Sequence, residues 1–174
     1  MSDTRRYDTA LGSLTLRLER AEDEPFLFAL FCSHTGRVLR RGGLSDAAIE
    51  TMLQFQYRAN TETHHKTFPD AVFSIIESDG VSIGRLIEED EGDRVYFVDF
   101  ALVDEHQAKG LGTAFIEMVA DEWARKGRAA RVEVFQDNVH SLKLCAKLGF
   151  VRIEDEGMGY VNLLRPLPAT TSKT

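Results

Sequence analysis

The sequence predicts one mixed α/β domain, and three observations predict it. Short runs of alternating or β-branched apolar residues, each bounded by turn residues, recur along the chain. Between them lie segments with apolar residues at helical spacing and recognisable start and stop signals. Finally, 174 residues with 43% apolar and 28% charged side chains suffice to bury one core without disulfides or a structural metal. No internal repeat, low-complexity block or linker divides the chain. The domain is expected over residues 13–165, between a loose leading segment, 1–12, and a frayed tail, 166–174.

Ser13–Leu18 alternates apolar and polar residues and reads as a half-buried strand. Glu22, Asp23, Glu24 and Pro25 precede the apolar run Phe26–Phe31. Proline is tolerated in a first helical turn and acids are favoured at its positive end, so a helix starts here. Arg40 to Gly43 break the pattern. A second helix opens at Ser45 or Asp46, carries Ile49, Met52, Leu53, Gln56 and Tyr57 at helical spacing, and ends before Phe68-Pro69. Ala71–Ile76 and Val81–Ile87 read as strands joined at a Ser78-Asp79-Gly80 turn. The acidic stretch Glu88–Asp93 reads as a solvated loop, and Arg94–Val103 as the next strand. A long amphipathic helix spans about Gly110 to Lys126, with Leu111, Phe115, Met118 and Val119 on one face and Gly127 as its stop. Arg131–Phe135 is a strand, and Asn138–Lys147 is a short helix ended by Gly149. Phe150–Ile153 and Gly159–Leu164 close the sheet.

Composition excludes several classes. A net charge of -7 opposes non-specific nucleic-acid binding, which needs positive charge to displace counterions. No run of eighteen apolar residues offers a spanning helix. Cys32 and Cys145 stand far apart and form no C-x-x-C pair. That excludes a zinc ribbon or a disulfide-stapled scaffold and fits a reducing compartment. Met1–Asp8 lacks the apolar core of a signal peptide. A cytoplasmic protein without nucleic-acid or membrane partners is expected.

The segment that carries chemistry is Gln107-Ala108-Lys109-Gly110-Leu111-Gly112-Thr113, between a strand and a helix. Its glycines let the backbone approach a ligand, and the helix behind them offers free N–H groups and a positive dipole end. That combination cradles phosphate, although an ordinary strand-to-helix turn can look the same. A P-loop is absent, since no Gly-x-x-x-x-Gly-Lys-Ser/Thr string occurs. The dinucleotide fingerprint fails as well: Phe115 stands where its third glycine belongs, and Ala129-Ala130-Arg131 where it wants an acid. A Gln/Arg-x-x-Gly-x-Gly/Ala loop remains, and Gln107, Gly110 and Gly112 match it without a gap.

With its surroundings this loop resembles the GNAT family of N-acetyltransferases, in a generic bacterial branch. The strand ending at Leu102-Val103, the long helix, the strand leading to Asn138 and the string Leu148-Gly149-Phe150 follow that family's order. The resemblance is strong over Val95–Val151 and looser over Leu16–Leu30 and Phe55–Ala71. It implies a mixed, mostly antiparallel central sheet, splayed in the middle and flanked by helices. It implies acetyl-CoA or another acyl-CoA as co-substrate and a small-molecule or peptide amine as acceptor, and it allows a homodimer. Backbone N–H groups of Gln107, Ala108, Lys109, Gly110, Leu111, Gly112 and Thr113 would bind the pyrophosphate. Lys109 is either a neutralising charge or a solvated loop lysine. Leu102 and Val103 mark the splayed strand end, where backbone near Leu102 would polarise the thioester carbonyl. Asn138 would contact the cofactor arm. The amine would attack the acyl carbon directly, after losing a proton.

One position departs from the family. Where its members carry Leu-Tyr-x-Lys-Leu-Gly-Phe, this chain reads Leu144-Cys145-Ala146-Lys147-Leu148-Gly149-Phe150. The tyrosine that protonates the leaving thiolate is replaced by Cys145. Three readings follow: Cys145 donates the proton itself, another group such as Tyr160 or a water does, or the chain binds acyl-CoA and turns over poorly. The last makes the chain a CoA-binding sensor or sequestering module. An equal alternative reads Cys145 as a small buried hydrophobe. Asp99 and Glu133, on neighbouring strands, are candidate bases acting through water, and solvent-facing strand acids are the plainer reading. Gln56 and Asn60, one helical turn apart, are candidate acceptor contacts. His64 and His65 are adjacent and point about 100° apart on a helix, so they make no paired metal site. No metal is expected. The overall acidity is free to attract a cationic acceptor.

Overall fold

The structure, a computed structural model, describes residues 4–40, 45–107, 109–153 and 159–169. Among these, eight strands and four α-helices follow in order. They are β1 (Thr4–Thr9), β2 (Gly12–Leu18), α1 (Glu24–Arg40), α2 (Asp46–Thr67), β3 (Val72–Ser78), β4 (Val81–Asp90) and β5 (Arg94–Leu102). Then come α3 (Leu111–Arg125), β6 (Ala129–Phe135), α4 (Val139–Lys147), β7 (Val151–Arg152) and β8 (Tyr160–Arg165). One sheet takes the order β1-β2-β3-β4-β5-β6-β8-β7. Every neighbouring pair is antiparallel except β5 with β6. This is the mixed, mostly antiparallel sheet the sequence implied. No helix among the described residues is long and apolar enough to cross a membrane.

Strand alternation sends successive side chains to opposite faces, and Ile75 and Ile76 show the result. Both are fully buried. Ile76 joins the larger core with Phe115 and Val119 of α3 and Leu148 after α4. Ile75 joins a smaller one with Leu27 of α1 and Tyr57 of α2. The sheet is therefore covered by α1 and α2 on one face and by α3 and α4 on the other. Ser45 caps α2 by accepting from the Ala48 N–H at 3.3 Å, as an N-cap serine does.

Two expectations are corrected. Residues 4–9, assigned to a loose leading segment, form β1, paired along its length with β2. The reason is tertiary. Tyr7 is 4% exposed, lies edge-on to Phe115 at 5.2 Å, and donates its hydroxyl to Glu122 Oε2 at 2.5 Å. Arg5 forms an ion pair with Glu88. The second correction concerns Glu88 itself. Glu88, Glu89 and Asp90 belong to β4 rather than to a solvated loop. Glu88 is only 2% exposed and accepts from Trp123 Nε1 at 2.6 Å as well as from Arg5. A buried carboxylate persists because it is paired and hydrogen-bonded.

The feature that positions the site is where β5 and β6 part. Their parallel ladder covers only Arg94–Phe97 against Ala129–Val132. Beyond it β5 runs on to Leu102 and β6 to Phe135 without pairing. The sheet is thus splayed in its middle.

Candidate active site

The splay leaves one edge of β5 free. Val103 N–H donates to Ile83 O across the ladder to β4 at 2.8 Å. By alternation, the backbone groups of Leu102 face the other way, into the gap. The Leu102 carbonyl is met there by side chains. Gln107 Nε2 donates to it at 2.7 Å, and His34 Nε2 lies 3.1 Å from the same oxygen. Gln107 Nε2 also reaches Asp104 Oδ1 at 3.2 Å, so the short turn Asp104–His106 is tied to the strand end.

The start of α3 faces the same gap. Gly110 stands at its N-cap with φ +84°, a left-handed conformation that glycine adopts without a Cβ penalty. No side chain caps the helix and no acid lies in its first turn. Ala114 N–H is the first to bond within the helix, to Gly110 O at 3.0 Å. The N–H groups ahead of it form the positive end of a fifteen-residue helix. Gly112 answers a different need. A Cβ there would lie 3.1 Å from Leu102 Cδ1 and 3.3 Å from Phe100 Cζ. Any larger residue would make the side chains of Leu102 and Phe100 give way for the helix start to seat this closely on β5.

Between these parts lies a cleft of about 790 Å³. One end is walled by Leu27, Leu30 and Phe31 of α1 and by Asn60 and His64 of α2. Arg85 and Asp99 also line it. Gly110, Gly112, Thr113, Asn138, Lys143 and Lys147 line the rest. Arg85 directs both Nε, at 2.9 Å, and Nη2 to a single oxygen of Asp99, Oδ2. Asp99 Oδ1 carries no hydrogen bond among the described residues. Burial pushes the His64 pKa below the ordinary histidine value, against the pull of nearby Asp99. Asp99 is the one carboxylate in the described lining, against Arg85, Lys143 and Lys147. The cleft is therefore not acidic, although the chain carries a net charge of -7.

The model of the Acetyltransferase (GNAT) family matches residues 43–150. The chain belongs to this GNAT acetyltransferase family. Solved GNAT structures share its fold. The PaiA N-acetyltransferase from Thermoplasma acidophilum, solved in complex with coenzyme A, superposes with a TM-score of 0.64 at 18% identity. That match covers 88% of this chain and 98% of the other. An acetyltransferase from Thermus thermophilus gives 0.63 at 18% identity, over 88% and 97%. The GNAT domain of S. lividans PAT gives 0.61 at 17% identity, over 92% and 95%. No curated protein sequence matches the chain.

Within this GNAT cleft the structure gathers some of the expected residues and not others. Leu102, Gln107, Gly110, Gly112, Thr113, Asn138, Asn60 and Asp99 all line it. Asn138 also caps α4, its Oδ1 accepting from Ser141 N–H at 3.1 Å. Leu111 is buried in the core beneath the helix start, leaving its backbone as the part near the gap. Val103 packs at the core margin. Lys109 is exposed and Gln56 half-buried, and neither lines the cleft. Ala108 lies outside the described residues.

The expected proton donors and one expected base are displaced. Cys145 is 8% exposed and belongs to the main core rather than to the cleft lining. Burial pushes its thiol up to about 11. Tyr160 is 49% exposed, sits edge-on to Phe135 at 5.5 Å, and does not line the cleft. Glu133 lies outside the lining, paired with Arg131 at 2.7 Å, whose guanidinium stacks over Tyr96. Sequence reasoning missed Arg85, His34, His64, Lys143 and Lys147 as cleft residues. Two signals were available. Lys143 and Lys147 are one turn apart on α4, and His64 continues the Gln56–Asn60 spacing by one more turn.

Proposed function

We propose that this chain is an acyl-CoA-dependent N-acyltransferase that passes the acyl group, acetyl by default, to a primary amine by direct attack in a ternary complex. The carrying observation is that the free edge of β5 at Leu102 and the uncapped start of α3 border one cleft, with Gly112 packed against the side chains of Leu102 and Phe100. The residues present fit acyl-CoA. The N–H groups of the Gln107–Thr113 turn suit a pyrophosphate, with dipole and backbone in place of a basic surface. Lys143 and Lys147 add positive charge on the α4 side, and Asn138 lies beside them in the lining. Bound acyl-CoA supplies the activated thioester.

The chain's own residues do the rest. The backbone of Leu102, turned to the unpaired edge, holds the carbonyl oxygen as negative charge develops on it. Gln107 and His34 keep that strand end in place by their contacts to the Leu102 carbonyl. Asp99 offers its free oxygen to an acceptor ammonium. Leu27, Leu30 and Phe31 cover the acceptor's apolar part and exclude water. With Cys145 in the core and Tyr160 outside the lining, the leaving sulfur takes its proton from water. Neither cysteine is disulfide-bonded, which fits a reducing compartment, and we assign the reaction to the cytoplasm.

The test is release of free thiol from acetyl-CoA by the purified chain against a panel of amines. Amine-dependent release supports the transferase. Binding of CoA by calorimetry, with no release for any amine, favours a second reading, a CoA-binding module. The burial of Cys145, at the position where the resemblance implies a proton donor, supports that second reading.

A further inference from the structure

Two side-chain polar atoms among the described residues are buried without a hydrogen-bond partner: Glu19 Oε2 and His64 Nδ1. Both groups feel the charge of the same guanidinium, Arg85. His64 is the one that lines the cleft. Its Nε2 makes no hydrogen bond and is not closed off from solvent, so it is the ring nitrogen that can exchange a proton with the cleft. Asn60 lies one turn away on the same lining, and Asp99 acts on the ring electrostatically.

Deepening the transferase reading, on which this inference rests, we propose that His64 is the catalytic base that takes the proton from the acceptor ammonium. Asp99 is less suited to that task. Its bonded oxygen is committed to Arg85, and the free one is placed to hold the ammonium rather than to discharge it. The charges around the ring act both ways: Asp99 on β5 attracts a cation there, while Arg85 on β4 and His65 on its own helix repel it. Glu19, after β2, is held by the charges of Arg85 and His65.

The step balances simply. An ammonium N–H bond breaks, its electron pair stays on nitrogen, and the proton passes to His64 Nε2. The amine nitrogen then bonds to the acyl carbon, and the carbon–sulfur pair leaves with sulfur. The second proton shed by nitrogen balances the one that sulfur gains from water. His64 accepts at Nε2 as the tautomer that carries its hydrogen on Nδ1, so that N–H lacks an acceptor before and after the transfer. Burial of the ring disfavours the cation, which returns its proton to solvent.

The experiment compares kcat against pH for the full chain and for His64→Gln and His64→Asn, with CoA affinity and melting temperature measured alongside. The wild type shows a rise in kcat with pH as His64 loses its proton. Both variants fall about a hundredfold in kcat, lose that acid limb, and keep CoA affinity within about twofold. Imidazole added to His64→Ala restores part of the rate, which a purely structural role would not allow. If the variants stay within threefold of wild-type kcat and keep the acid limb, the base assignment is overturned and the transferase stands. If the wild type binds CoA but releases thiol with no amine, the transferase reading fails and this assignment falls with it. A variant that melts early is judged by the imidazole arm alone, where absent rescue overturns the proposal.

Discussion

The side-chain amide of Gln107 donates to the carbonyl oxygen of Leu102 at 2.7 Å, joining the turn before α3 to the free edge of β5. His34 contacts the same oxygen, so the bond shares its task. Gln107→Leu removes the donor while keeping bulk. A neutral hydrogen bond contributes about 1 kcal/mol, so CoA affinity is expected to weaken about five- to tenfold, with a small change in melting temperature. Titration calorimetry with CoA checks this. Unchanged affinity would remove Gln107 from the site's architecture.

The two loop glycines serve different ends, and substitution separates them. Gly112→Ala places a Cβ 3.1 Å from Leu102 Cδ1, and overpacking of this kind costs about 1–3 kcal/mol. Gly110→Ala meets little crowding, since its nearest neighbour is Leu11 Cδ1 at 3.6 Å. It incurs left-handed strain of about 1 kcal/mol instead. Urea unfolding should rank Gly112→Ala as the less stable variant, and the reverse order would contradict the seating of α3 on β5.

Cys145 is expected to be inert toward alkylation. With its thiol pushed up to about 11 and its side chain in the core, the folded chain holds little thiolate near neutral pH. Iodoacetamide followed by mass spectrometry should label Cys145 far more slowly in the native than in the urea-unfolded chain. Cys145→Ala should keep kcat within about twofold while lowering stability by about 1 kcal/mol. A hundredfold loss of kcat would return the thiol to the reaction. Cys145→Tyr overfills the core and should lower stability by about 1–3 kcal/mol.

Acid should weaken the fold through Asp23. Arg17 donates to both of its oxygens at 2.7 Å and holds its carboxyl below the ordinary aspartate value. A depressed carboxyl stabilises the fold above its unfolded pKa of about 3.9, and that contribution is lost as pH falls through the folded value. Stability measured by urea unfolding between pH 5 and roughly pH 2 should therefore fall less steeply for Asp23→Asn than for the wild type. Equal slopes would show that the pair does not drive acid unfolding.

What the sequence made legible was local. The helix α3 and the strands β3 and β5 follow from apolar spacing within each segment. Gln107, Gly110 and Gly112 follow from their spacing in one turn. β1 was not legible, because Tyr7 is its one buried residue and the groups that anchor it, Glu88 and Glu122, lie far along the chain. Glu88 was misread for the same reason: nothing near it in sequence supplies Arg5 or Trp123. Arg85, His34 and His64 come from β4, α1 and α2 and converge only on packing. Strand parity shows that Glu133 and Arg131 share a face, but it does not say which face meets the cleft.

The anchoring of β1 has a consequence for synthesis on the ribosome. Arg5 precedes its partner Glu88 by 83 residues, and Tyr7 precedes Glu122 by 115. The leading strand can find β2 early, but it cannot be locked down until α3 has been translated. Contacts of such long sequence separation form late. A nascent chain stalled before α3 should thus leave Thr4–Thr9 open to protease, and release of the finished chain should close it.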